Sequence, residues 1–215
     1  MKLQDLFDRH VASFLPFLAD GFVSAIRTET LSERQLGIYL AQDIHYLEAI
    51  AHTLVRMRDA FTDVDTRDTL DRHRAVALKS CNEMRGLFVE VPVLADMATD
   101  PIRPTTYAYI NHQRLSLERG VRAGLWSLLP CYLFYPTFVY EVRSCRTKRE
   151  FIQKWRDSLP SYDGAVLWKH EIEEIFARVN LGRHDHSLEQ AFSISKHYEV
   201  MFLRMAYNDE SWLLG

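Results

Sequence analysis

The sequence predicts an all-α fold, a single-domain helical bundle of about seven helices spanning residues 1–215. Three observations carry that expectation. Apolar residues recur at helical spacing along almost the whole chain, and the breaks fall at polar or Pro/Gly clusters. Only 8 glycines and 7 prolines are present among 215 residues, too few for the many tight turns of an all-β chain. Hydrophobic residues make up 47% and charged residues 26%, a globular balance at a length suited to one core.

Each element has its own local signal. Ser32 followed by Gln35 is a capping-box pattern and opens a long helix to about Arg58, which Phe61-Thr62-Asp63-Val64-Asp65 ends. A second helix is expected from about Thr66 to Phe88, with Pro92 and the Asp100-Pro101…Pro104 cluster closing the segment after it. A third starts near Thr105, breaks between Gly120 and Gly124, and resumes as the apolar run Leu125 to Val142. Arg149 to Leu159, Ala165 to Asn180 and Ser187 to Tyr207 complete the set, the last with Ser187 and Gln190 in capping-box spacing.

Charge and cysteine content narrow the function classes. Twenty-six Lys+Arg against 29 Asp+Glu leave a formal net charge of -3, so nucleic acid is not an expected partner. Cys81, Cys131 and Cys145 form no CxxC pair, which points to a reducing, cytoplasmic setting. No apolar run of membrane-spanning length occurs, and no membrane association is expected.

Three polar side chains interrupt otherwise apolar helix faces. Asp43 falls on the stripe of Leu36, Leu40, Leu47, Ile50 and Leu54; Glu199 shares a face with Leu188, Phe192, Phe202 and Ala206; Cys131 lies on or beside the face of Leu125, Leu128, Tyr135 and Phe138. A buried carboxyl must be hydrogen-bonded, protonated, or lining a cavity. Each residue alone has an ordinary structural explanation. Together, with Tyr46, Tyr107, Tyr109, Tyr135 and Phe202 in similar phase, they suggest either an aromatic-lined pocket for a flat polar ring or an ordinary aromatic core.

The ordered segments Leu15-Pro16-Phe17 with Asp20-Gly21, Tyr39-Leu40-Ala41-Gln42-Asp43 with Tyr46-Leu47, Tyr107-Ala108-Tyr109, Leu128-Leu129-Pro130-Cys131-Tyr132, Phe151-Ile152-Gln153-Lys154-Trp155 and Tyr198-Glu199…Phe202…Met205-Ala206-Tyr207 with Trp212 resemble the TenA/thiaminase II family. That resemblance implies a haem-oxygenase-like bundle without haem, no cofactor and no metal. It implies a pocket for the aminopyrimidine part of thiamin or its breakdown products, and hydrolysis in thiamin salvage of the aminopyrimidine aminohydrolase type. By the same resemblance Cys131 is the nucleophile, Glu199 handles protons, and Asp43 positions the ring and assists, while Tyr46, Tyr109 and Phe202 line the pocket; Tyr135, from its place in the aromatic pattern, is expected to bind substrate with them. It also implies a homodimer or homotetramer, to which the 12 Phe, 10 Tyr and 4 Trp add a surplus of aromatic surface to bury.

The sequence departs from the family pattern at two places. Leu159 stands four residues after Trp155 where the family usually has a pocket-facing tyrosine, a place Tyr162 takes if the loop bends back. Pro136-Thr137-Phe138-Val139 replaces the usual acidic, glycine-containing continuation after Tyr135. Two other classes compete with the hydrolase: a metal-dependent oxidase on the same bundle, and a non-catalytic pyrimidine binder or regulator. His45, Glu48 and His52 could offer ligands from one helix face, but that face is oblique to the apolar stripe and reads as a solvated or subunit-contact face. His184-Asp185-His186 reads as a polar loop, and Asp63 to Asp68 as a helix cap.

Overall fold

In the computed structural model, which describes residues 12–14, 16, 18, 21–179 and 186–213, every regular element among the described residues is helical. The elements are α1 (Gly21–Arg27), α2 (Glu33–Asp59), α3 (Val64–Glu90), a 3-10 turn (Pro92–Met97), α4 (Pro104–Glu118), α5 (Val121–Ser144), α6 (Glu150–Ser158), α7 (Tyr162–Val179) and α8 (His186–Tyr207). Residues 12–14, 16 and 18, ahead of α1, are helical too. The fold is all-α as the periodicity predicts. None of the described helices is long and apolar enough to cross a membrane.

The cap signals set the helix starts. The Ser32 hydroxyl accepts the Gln35 N–H at 3.1 Å, while Gln35 Oε1 accepts the Ser32 N–H at 2.9 Å. This reciprocal pair satisfies two of the amide donors that a helix start leaves over. Asp63 accepts the Thr66 N–H at 3.1 Å and begins α3, so its acidic run is a cap. Ser187 differs from expectation, because α8 already includes His186 and Ser187 stands inside the helix. The short α1 has no such signal. Four of its seven residues, Phe22, Val23, Ala25 and Ile26, are buried, and a run that brief shows no period.

The corner between α4 and α5 is tighter than the expected break from Gly120 to Gly124. Gly120 alone makes it, at φ 128 and ψ 159, a conformation that a side chain would strain. Gly124 is inside α5. A Cβ there would stand 2.8 Å from Met57 Cε, 2.9 Å from Leu117 Cδ1 and 3.2 Å from Leu117 Cα, so the glycine lets α5 lie close against α4 and the end of α2. Pro130 and Pro136 also lie inside α5 and flank Cys131. Each lacks the N–H that the carbonyl four residues earlier would accept, which loosens the ladder on either side of the thiol.

Helix α2 packs extensively on α3, and α5 is flanked by α4, α7 and α8. The core between them includes Phe22, Tyr109, Phe138, Trp155, Phe176 and Phe192, all nearly inaccessible. A buried ionic cluster pins the start of α4 to α2 and to the segment after α8. Arg103 grips both Asp100 oxygens, at 2.7 and 2.8 Å, and Asp209 at 2.8 Å. Gln42 accepts the Arg103 N–H at 2.9 Å and donates to Asp100 at 2.8 Å and to the Pro101 carbonyl at 2.9 Å. A guanidinium satisfied in this way fixes geometry as well as charge. Residue 43 is the next along the chain, so the cluster sets where Asp43 stands.

Replacing Gly124 by alanine is expected to destabilise the fold by about 1–3 kcal/mol, because part of the contact is helix backbone that cannot turn aside. Urea unfolding of the two proteins checks this through the shift in midpoint at unchanged slope.

Candidate active site

Asp43 and Tyr46 lie one turn apart on α2, Tyr109 is on α4, Cys131 and Tyr135 are one turn apart on α5, and Glu199 and Phe202 are on α8. All seven line one cavity of about 140 Å³. The three apolar stripes interrupted by acid or thiol, on α2, α5 and α8, converge on that space, and α4 adds Tyr109. The aromatics are therefore cavity wall as well as core.

Rings form one side of the site. Tyr46 stacks on Tyr109 at 4.9 Å and 25° between planes, and Tyr109 stacks on Tyr198 at 5.2 Å and 17°. Phe202 leans on Tyr46 at 5.9 Å and meets Tyr39 edge-on at 6.0 Å. Tyr135, also in the lining, lies parallel to Trp168 of α7 at 6.1 Å. Offset and edge contacts of this kind hold flat rings at set angles, which suits a flat ligand.

Hydrogen bonds tie the rings to the reactive groups. Tyr109 donates its hydroxyl proton to Glu199 through a short contact. Gln113, one turn further along α4, donates to the Tyr46 oxygen at 2.9 Å and to the Ser127 carbonyl at 3.4 Å. The Tyr46 hydroxyl in turn bonds the Cys131 thiol. Among the described residues no group hydrogen-bonds the Asp43 carboxyl, which faces the cavity with its acceptors free for a ligand.

Burial dominates the electrostatics. It pushes the Asp43 carboxyl up to about 7. It does the same to Glu199, also to about 7, with the bond from Tyr109 pulling down and the charge of Asp43 adding a further push up. The Cys131 thiol is driven well above its ordinary value, first by burial and then by the charge of Glu199, against which the Tyr46 hydrogen bond works. Tyr46 and Tyr109 are likewise raised by burial and stay neutral donors. At neutral pH the site therefore holds a protonated thiol between two carboxyls poised to gain or lose a proton, the balance that acid–base catalysis needs.

Two other residues fall elsewhere. Tyr107 is 52% exposed and packs edge-on against Trp212, because two residues along a helix from Tyr109 is the far side of it. Tyr162 is 47% exposed against Tyr140, so it does not take the place next to Leu159, and Leu159 itself stands in the cavity wall. The helix face of His45, Glu48 and His52 is accounted for by structure: His45 Nε2 bonds the Asp100 carbonyl at 3.1 Å, Glu48 pairs with Arg85, and His52 is exposed. Among the described residues no group of three or more His, Cys, Asp or Glu is placed to hold a metal; His184 and Asp185 lie outside them.

Sequence reasoning missed Gln113, Trp168, His73 and Tyr132 as wall or support residues. Gln113 had a usable signal, being four residues from Tyr109 on the same helix face. His73 had one as well, lying in phase with the buried Leu70, Ala77 and Met84 of α3. Trp168 had none, since α7 reaches the cavity only through the tertiary fold.

The model of the TENA/THI-4/PQQC family matches residues 21–209. Among solved structures, a TenA homologue protein from P. horikoshii OT3 superposes with a TM-score of 0.76 at 17% identity, covering 97% of this chain and 99% of that one. A candidate TenA-like thiaminase from Sulfolobus solfataricus P2 gives 0.76 at 16% identity over 99% and 100% of the two chains. A TenA family transcription regulator from Silicibacter sp. TM1040 gives 0.65 at 16% identity over 94% and 96%. At these identities the likeness is one of fold. No curated protein matches the chain.

The raised carboxyls have a consequence for stability. A carboxyl whose folded value lies above its unfolded one binds protons more tightly when folded, so its contribution is most favourable below the unfolded value and is lost as pH rises through about 7. Asp43→Asn is expected to stabilise the protein by about 2–4 kcal/mol at about pH 8, with the gain shrinking steadily towards about pH 4. Thermal unfolding of both proteins across that range is the check.

Proposed function

The chain belongs to the TENA/THI-4/PQQC family, and on that premise we propose that it is a hydrolase of the thiaminase II type that removes the substituent from the exocyclic methylene of a thiamin-derived aminopyrimidine. The observation that carries the reading is the convergence of Cys131, Asp43 and Glu199 on one aromatic-walled cavity. The ligand is a small aminopyrimidine, and no nucleic acid or membrane enters the reaction.

The residues divide the work by their chemistry. The substituent does not leave readily from an intact aromatic ring. Addition of the Cys131 sulfur to the neighbouring ring carbon lets the ring electrons expel it. The thiol holds its proton at neutral pH, so it hands that proton to a neighbouring carboxylate as the sulfur attacks. Glu199, kept partly protonated by burial and oriented by Tyr109, protonates a ring nitrogen and favours the addition. Asp43 accepts from the amino edge of the pyrimidine and holds the ring against Tyr46 and Phe202. Water then adds to the exocyclic carbon and the sulfur departs.

Incubation with 4-amino-5-aminomethyl-2-methylpyrimidine and with thiamin, following ammonia or thiazole release, tests the assignment. Turnover of at least one is expected, with a loss of about 1,000-fold or more in Cys131→Ala. Pyrimidine binding without product from the wild-type protein would favour the non-catalytic reading instead.

A further inference from the structure

One polar wall of the cavity is not used by the chemistry above. His73 of α3, only 4% exposed, stands between Tyr132 of α5 and Glu171 of α7. Its Nδ1 is 3.1 Å from the Tyr132 hydroxyl and its Nε2 is 2.8 Å from Glu171 Oε2. The other Glu171 oxygen accepts from Arg72 at 2.9 Å. His73 and Tyr132 both line the cavity, and Tyr132 is the chain neighbour of Cys131.

Glu171 sets the direction of these bonds. Burial pushes its carboxyl up, but the hydrogen bonds from Arg72 and His73 outweigh that and hold it below its ordinary value, so it is a carboxylate and can only accept. His73 Nε2 therefore carries the proton. Burial draws the His73 imidazole below its ordinary value despite Glu171, which leaves it neutral with Nδ1 bare. The Tyr132 hydroxyl donates to Nδ1, so its oxygen keeps only lone pairs for any further partner. The wall thus offers an acceptor with an outlet for a proton behind it. Leu159 and Trp168, also in the lining, offer no base, and the carboxyls of the lining are Asp43, Glu83 and Glu199.

We infer that Tyr132, backed by His73 and Glu171, takes the proton of the water that attacks in the hydrolytic half-reaction, an inference that rests on the hydrolase reading above. After the substituent has left, the exocyclic carbon is doubly bonded to a ring that carries the Cys131 sulfur. The water oxygen bonds to that carbon as its O–H bond breaks. The proton joins the Tyr132 oxygen, and the proton already on Tyr132 passes to His73 Nδ1. The exocyclic double-bond pair moves into the ring, restores its aromaticity and expels the sulfur as thiolate. The imidazolium is held opposite the Glu171 carboxylate until its proton returns through Tyr132 and restores the Cys131 thiol. His73 and Glu171 are positioning residues here, and only Tyr132 meets the water.

Tyr132→Phe keeps the ring and its packing against His73 while removing the acceptor. With 4-amino-5-aminomethyl-2-methylpyrimidine, rapid mixing is expected to show the first equivalent of ammonia per site released as fast as in the wild type, with later turnovers slowed about 100-fold. Glu171→Gln is expected to slow the same later phase. Unchanged steady-state turnover in Tyr132→Phe, or a first equivalent slowed as much as the rest, overturns the relay. Absence of any ammonia from the wild type defeats the hydrolase reading and not the relay, which nitrogen-15 spectra of His73 test separately. The Nε2–H tautomer is expected near neutral pH, with the Nδ1 resonance moving in Tyr132→Phe; an Nδ1–H tautomer or an imidazolium overturns the relay.

Discussion

Two carboxyls and a thiol cannot all be ionised in one water-poor cavity, and the rest of the site is arranged around that restriction. Burial raises all three groups, so the charge the cavity can carry is limited and easily moved. Tyr109 and Tyr46 moderate it by donating to Glu199 and Cys131, the two groups with protein partners, while Asp43 keeps its acceptors for a ligand. The stacked rings then do two things at once. They exclude water, which keeps the acids poised, and they leave a flat slot whose polar edge is Asp43.

Holding such groups in place requires the charged framework to lie elsewhere. Arg103 with Asp100, Asp209 and Gln42 forms a fully paired cluster outside the cavity, and through Gln42 it fixes the turn of α2 that carries Asp43. The thiol is treated differently. Cys131 sits between two prolines on a helix that Gly124 allows to approach its neighbours closely. One side of the site is braced by ions and the other by backbone proximity.

The parts of this arrangement that are legible in the sequence are those written as local exceptions. An acid on a leucine stripe marks Asp43 and Glu199, a thiol on an aromatic face marks Cys131, and Ser32 with Gln35 marks the start of α2. The exchange between His73 and Glu171 is not legible, because the two are far apart in the chain and the buried phase of His73 marks that residue without pointing to its partner. Tyr107 shows the opposite failure. It shares a motif with Tyr109, yet helical rotation sends it to the surface beside Trp212. Short α1 is hidden for want of length, and Gly124 reads as a break because a packing requirement and a turn requirement call for the same residue.

The distribution of the indoles gives the molecule an optical consequence. Trp155 and Trp168 both face the cavity, the first nearly inaccessible and the second parallel to Tyr135. Trp126 is enclosed between Phe176 and Phe192, away from the cavity lining, and Trp212 is 48% exposed with its N–H on the Ile102 carbonyl at 2.9 Å. The ultraviolet emission of the native chain therefore combines distinct signals. An aromatic guest quenches the two cavity indoles, a polar quencher dissolved in the buffer reaches Trp212 first, and the enclosed Trp126 supplies an internal reference against which both can be read.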